Sequence, residues 1–178
     1  MNKSLQRLLT CLSFSTALSA CSSFDVSEYE SVEPELIPEA FFDGKLTAHG
    51  VVKNRSGGII RTFNANIEAY WRDGIGTLEE DFIFDDGEKQ RRVWTLTPNG
   101  DGSYTGTAGD VVGEGRMEVA GNSAFLDYVL RIPWKGDSID IRVDDRMYLV
   151  QEKVLINEST MKKFGLQVGG LVLVIIRE

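Results

Sequence analysis

Two cysteines, Cys11 and Cys21, and one histidine, His49, are all the thiol and imidazole that 178 residues hold. A Cys/His zinc cage needs four such ligands and is excluded. A lone imidazole also leaves little for a triad or a second histidine ligand. Basic charge is scarce: 19 Lys and Arg stand against 27 Asp and Glu, a net charge of −8. Nucleic-acid binders neutralise phosphates with Lys and Arg, so this balance argues against that partner. There are only 4 prolines against 18 glycines. A Gly-x-Ser-x-Gly nucleophile elbow is absent, as is a Gly-x-Gly-x-x-Gly at a strand-to-helix junction. What is present is ordinary globular material. Apolar residues make up 42 %, enough for a core, and the length suits one domain. No metal or organic cofactor is implied.

The first twenty residues read as an address. Lys3 and Arg7 precede Leu8 to Ala20, an apolar or small-residue stretch ending Leu18-Ser19-Ala20-Cys21. This is the layout of a secretory signal peptide, and the stretch falls short of the roughly 20 residues a spanning helix needs. Leu-Ser-Ala-Cys resembles the lipobox of bacterial lipoproteins, in which cleavage leaves the cysteine as an acylated first residue. Cys21 is therefore the expected lipidation site; Cys11, preceded by Thr10, would leave with the signal. By analogy with bacterial sorting, Ser22 after the cysteine points to the outer membrane, facing the periplasm. The expected partner there is the membrane itself, reached through acylated Cys21. Residues 21–40 then form an acidic tether: Asp25, Glu28, Glu30, Glu33, Glu35 and Glu39 with no Lys or Arg, broken by Pro34 and Pro38. Like charges and prolines favour an extended leash. The organisation expected is 1–20 signal peptide, 21–40 lipidated Cys and tether, and 41–178 folded domain.

From Phe41 onward the apolar period is two. Phe63, Ala65, Ile67, Ala69 and Trp71 alternate with polar neighbours, as do Leu126 to Trp134 and Ile139 to Leu149. Turn signals such as Asp73-Gly74, Asp86-Gly87, Asn99-Gly100 and Lys135-Gly136 recur between them. Alternation with such punctuation predicts antiparallel strands, here at 45–53, 59–71, 76–84, 89–97, 103–112, 115–120, 124–134, 138–149, 152–156 and 169–177. Residues 157–164 read as one short helix before the last strand, with Asn157 or Ser159 as cap and Gly165 beyond it. The fold class expected is all-β: an antiparallel barrel or sandwich. Small inward residues, Ala65, Ala69, Gly106 and Ala108, opposite Phe82, Phe84, Trp94 and Tyr104 tilt the reading toward a cavity.

Longer runs carry a resemblance. Phe41-Phe42-Asp43-Gly44, Ala48-His49-Gly50, Asp86 to Leu96, Gly102 to Val111, Gly121-Asn122-Ser123-Ala124 and Leu155 to Gly165 are similar to a proteobacterial lipoprotein family of unknown function. The resemblance covers essentially all of residues 41–178 and implies a lipocalin-like β-barrel with a hint of lipid. It has no established active-site residues, so none carries over. Arg146 departs from it, an aromatic being common there.

On the inward phase, Glu80, Arg92, Asp145 and, at a strand end, Asp110 are charged. Buried charges must pair or meet water. One account pairs Arg92 with Glu80 or Asp145; the other gives Arg92, alone or with Arg142 or Arg116 at a rim, to a carboxylate or phosphate head. Arg91, one residue along, faces the other way. The leading expectation is an envelope lipoprotein that binds or shuttles a fatty acyl or similar apolar ligand. Trp71, Trp94, Phe82, Tyr104, Tyr128 and Met147 would line its cavity, Arg92 would sit near the head, and Glu80 and Asp145 would be polar lumen groups. The alternatives are an interaction lipoprotein with a filled barrel and an accessory lipid-acting enzyme using Glu80 or Asp145 as acid/base. Asn99 to Ser103 reads as a hairpin turn, because Tyr104 stands where a calcium loop needs Gly. His49 reads as a structural or surface residue.

Overall fold

The computed structural model describes residues 25–178; the signal segment, Cys11 and Cys21 lie outside them. Ten strands run in order, each antiparallel to the next: β1 (Gly44–Asn54), β2 (Ile59–Arg72), β3 (Ile75–Phe84), β4 (Lys89–Pro98) and β5 (Ser103–Thr107). They continue as β6 (Gly115–Ala120), β7 (Ser123–Trp134), β8 (Asp137–Gln151), β9 (Val154–Lys163) and β10 (Leu166–Arg177). Pairing of β1 with β10, Leu46 opposite Arg177 through Asn54 opposite Gly169, closes the meander into a barrel. Closure removes both free edges. The all-β, lipocalin-like barrel expected from the sequence is the architecture the chain forms.

Local chemistry sets the turns. Asp73, Lys135 and Phe164 have φ near +50°, each followed by a glycine at φ +76° to +83°. Two consecutive positive φ values are the backbone of a type I′ hairpin, whose twist matches its strands. Along each strand one face is buried: in β2, Phe63, Ala65, Ile67 and Ala69 are at most 4 % exposed while Thr62, Asn64, Asn66 and Glu68 face water.

Three expectations are corrected. Residues 157–164 are not a helix: 157–163 belong to β9, paired with β8 from Gln151↔Val154 to Arg142↔Lys162, and Phe164 opens the turn beyond it. The helical stop signal, Lys162-Lys163 before Gly165, is instead the approach to the Phe164-Gly165 hairpin. The fifth strand ends at Thr107, short of residue 112; residues 108–114 form a loop held by Val112 N–H to Val129 O and Arg131 N–H to Asp110 O. The acidic segment is not an extended leash from Asp25 onward. A 3₁₀ turn (Val26–Tyr29) and a short helix, α1 (Pro38–Phe41), pack it onto the barrel. Leu36 is 2 % exposed and its N–H donates to Gly121 O, while Phe41 and Phe42 are 3 % exposed. Tyr29 packs edge-on against Phe125 and beside Tyr148 on the outer wall.

That segment seals one end of the barrel, where β1 begins and the β2–β3, β4–β5, β6–β7 and β8–β9 turns lie. Inward side chains near it, Leu46, Met117, Ala124 and Leu155, are at most 1 % exposed. Toward the other end the inward-facing Phe82, Phe84, Met161, Leu171 and Leu173 are only partly buried. The barrel therefore has one closed and one open end.

Candidate functional site

The lumen holds a cavity of about 160 Å³ floored by Phe42 of the sealing segment. Its wall is mostly apolar, with Ala48, Phe63, Ile67 and Leu78 on one side and Met117, Leu126, Leu130 and Met147 on the other. Set into that wall are Glu80, Arg92, Tyr128, Asp145, Asn157 and Ser159. Register explains the convergence: Glu80 sits opposite Arg92 across β3–β4, and Asp145 opposite Ser159 across β8–β9.

Arg92 pairs with neither Glu80 nor Asp145. Its Nε donates to Asp110 Oδ1 and Oδ2 (3.2 and 3.0 Å) and its Nη2 to Oδ2 (2.7 Å). Asp110 reaches it from the loop after β5, and both side chains keep some solvent contact, at 18 % and 25 % exposure. The remaining guanidinium N–H groups have no hydrogen-bond partner among the described residues. The guanidinium also lies over the Phe82 ring, 5.8 Å from its centroid.

Desolvation dominates the acids. It pushes the Glu80 carboxyl up to about 7, against the pull of Arg92 and with help from Asp145 and Asp110. It pushes Asp145 up to about 6, although Ser159, Tyr128 and Arg92 favour the charged form. The Tyr128 hydroxyl is raised well above its ordinary range, chiefly by burial and then by Asp145. Asp145 Oδ1 is buried without a hydrogen-bond partner, an unfilled acceptor in an apolar wall. This lumen sets one guanidinium against three carboxyl groups, and burial makes Glu80 and Asp145 hold their protons more tightly than usual. It favours a neutral or hydrogen-bond-donating group over a second anion.

The structure brings Arg92, Trp94, Phe82, Tyr128, Met147, Glu80 and Asp145 together around the cavity. Trp94 and Tyr128 meet edge to face at 5.2 Å, and the Trp94 ring takes up the space a side chain at Gly106 would need. Trp71 and Tyr104 lie elsewhere, in the seal: Trp71 Nε1 donates to Phe42 O (2.9 Å) and the Tyr104 hydroxyl to Glu39 (2.8 Å). Their rings pack edge to face at 6.2 Å. Arg116 and Arg142 are exposed outside, paired with Asp101 and Glu118 and with Asp144. Arg91 is outside too, held by Glu79 and Asp81. His49 is exposed, with Nδ1 2.6 Å from Asn64 Oδ1. Two polar lumen residues escaped the sequence reading, Asn157 and Ser159, because they fell in the supposed helix. The signal was there, in Leu155, Asn157, Ser159 and Met161 at period two.

Residues 15–177 match the family described as "Protein of unknown function (DUF3833)". No curated protein matches. Among solved structures, the S-type phycobiliprotein lyase CpeS from Guillardia theta superposes with a TM-score of 0.55 at 10 % identity, over 76 % of this chain and 88 % of that one. A redesigned β-barrel, mFAP0, solved with DFHBI bound, superposes at TM-score 0.43 and 12 % identity, over 77 % and 99 %. The first likeness shows the barrel fold.

Proposed function

The chain belongs to the DUF3833 family, whose description assigns no activity, and we propose that its barrel binds a fatty acyl or similar apolar ligand through the open end. The observation that carries this is the unfilled Asp145 acceptor beside Glu80 and Tyr128 in an otherwise apolar cavity. A ligand pocket is typically apolar with a few placed polar groups. A hydroxyl or amide N–H on the ligand satisfies Asp145 Oδ1, and a carbonyl accepts from protonated Glu80 or from the Arg92 N–H groups left over by Asp110. Arg92 itself serves first as the partner of Asp110, so an anionic head is the less favoured choice. A cavity of about 160 Å³ compares with engineered cavities of about 150 Å³ that take up benzene. It therefore accepts a short apolar segment, and a longer chain extends through the open end.

In this reading the protein is an envelope lipoprotein, anchored in the bacterial outer membrane through acylated Cys21 and facing the periplasm. The support is the sequence from Lys3 to Cys21. Labelling with radioactive palmitate, lost on Cys21→Ser, is the check. The cavity's small volume favours one second reading, an interaction barrel whose lumen is structural. Native mass spectrometry of the protein isolated gently from the envelope, followed by lipid extraction, separates the two. A stoichiometric adduct of one apolar class supports ligand binding. A bare mass that persists after incubation with mixed envelope lipids rejects it in favour of the interaction barrel.

A further inference from the structure

The open end is ringed by hairpin tips, and three neighbouring tips carry side chains that a water-facing turn does not need. Phe164, at the apex of β9–β10, is 92 % exposed, and Leu166 and Val168 behind it are 62 % and 42 % exposed. On the β1–β2 tip Ile59 and Ile60 are 61 % and 62 % exposed, and Trp134 at the end of β7 is 54 % exposed. No other exposed large hydrophobic residue among those described exceeds 49 %. The tips adjoin through strand pairing: Asn54 lies opposite Gly169 across β1–β10, and Arg142 opposite Lys162 across β8–β9.

The same tips concentrate positive charge in an acidic protein. Segments 53–61, 131–138 and 160–168 contain Lys53, Arg55, Lys135 and Lys163 besides three cations already in ion pairs, Arg61 with Asp86 and Glu88, Arg131 with Asp140 and Lys162 with Asp144, and the one acid within them is Asp137. The Lys163 ammonium lies 5.0 Å from the Phe164 ring centroid and that of Lys135 lies 5.5 Å from Trp134. Acids of this end stand on the adjoining β3–β4 tip, at Asp85, Asp86 and Glu88, where Asp86 and Glu88 hold Arg61 of the β1–β2 tip. Separate projecting tips with aromatic and aliphatic ends and flanking lysines suit a layer that is apolar inside and anionic at its surface.

We propose that the β1–β2, β7–β8 and β9–β10 tips seat the open end of the barrel on an anionic phospholipid bilayer. Phe164, Leu166 and Trp134 enter the acyl boundary while Lys135 and Lys163 meet the headgroups. The proposal stands on the outside of the barrel and holds whatever fills the lumen.

The test uses full-chain protein with vesicles of phosphatidylethanolamine and phosphatidylglycerol bearing brominated acyl chains, which quench tryptophan on contact. Of the three tryptophans, Trp134 alone lies on the tips, and Trp134→Phe assigns its share of the signal. Because the readout is local, attachment through the N-terminal segment does not mimic it. The expected result is quenching of Trp134 that is lost in the double variant Phe164→Ser, Leu166→Ser. It should also fall in Lys135→Glu with Lys163→Glu, fall at high salt, and be absent on phosphatidylcholine vesicles. Phe164, Leu166 and Lys135 are exposed and Lys163 is half-buried, its ammonium donating to Asp140 O, and unchanged Trp71 and Trp94 emission shows that each variant keeps its barrel. Unquenched Trp134, quenching that survives in the serine variant, or equal quenching on phosphatidylcholine overturns the proposal. A Trp134 response that instead follows protein concentration without lipid assigns the tips to self-association and also overturns it. Quenching without a lumen adduct in mass spectrometry leaves it intact, so the two readings fail separately.

Discussion

Arg92 and Asp110 form the lumen's best-defined pair, and its worth depends on what each partner would face alone. Removing Asp110 leaves a largely buried guanidinium beside Glu80 and Asp145, both of which hold a proton more tightly than usual. Breaking such a pair costs about 3 kcal/mol, whereas replacing both partners with apolar residues of similar volume is close to neutral. Urea unfolding of Asp110→Ala should therefore show a loss of about 2–3 kcal/mol, and the double variant Arg92→Leu, Asp110→Leu should recover most of it. Arg91→Leu, one residue away on the outer wall, should stay within about 0.5 kcal/mol of the parent because exposed pairs contribute little. A double variant as unstable as the sum of its singles would mean that Arg92 is held by something other than Asp110.

At the level of elements, the sealing segment depends on one glycine. Gly121, in the β6–β7 turn, has φ +51°, and a Cβ there would stand 1.8 Å from Tyr29 O and 2.9 Å from Val32 O. Backbone cannot yield as a flexible side chain can, so Gly121→Ala should lift the segment without opening the barrel. Hydrogen exchange should show lost protection over residues 25–36, including Leu36 N–H, with the β7 and β8 amides unchanged; retained protection at Leu36 would refute this coupling. The elements differ in how far they could be read in advance. Strands with a dry inner face, such as β2 and β7, announce themselves through period two. β9 did not, because polar Asn157 and Ser159 occupy its inward positions and look like helix caps to a reader expecting apolar residues there. The sealing segment hid for the opposite reason. Its acids face water and suggest a solvated leash, while the few residues that bind it down, Val26, Leu36, Phe41 and Phe42, form no periodic pattern. The inward phase disclosed Glu80, Arg92, Asp145 and Asp110, yet not that Asp110 pairs with Arg92, because Asp110 lies in a loop whose course no local rule dictates.

Over the whole molecule, the lumen acids set how stability changes with pH. Glu80 rises from an ordinary 4.5 to about 7 on folding and Asp145 from 3.8 to about 6. The folded state thus binds these protons more tightly than the unfolded chain. Their contribution is fully present below about pH 4, and it declines as pH rises, until each group is ionised above its folded value. The unfolding free energy from denaturant titrations should fall between pH 5 and pH 8, by at most about 3 kcal/mol for each group. Glu80→Gln should flatten the profile. A parent profile that instead rises with pH would show that the two carboxyls are ionised and well paired in the folded state.

The seal at one end has a consequence for traffic. A tube open at both ends can pass its contents along, whereas a cup must return them by the way they came. A chain bound as proposed would keep its orientation, its leading end lodged against Phe42 and its trailing end still at the rim. If the occupant is a chain longer than the cup is deep, the part displayed for hand-over is the part that entered last.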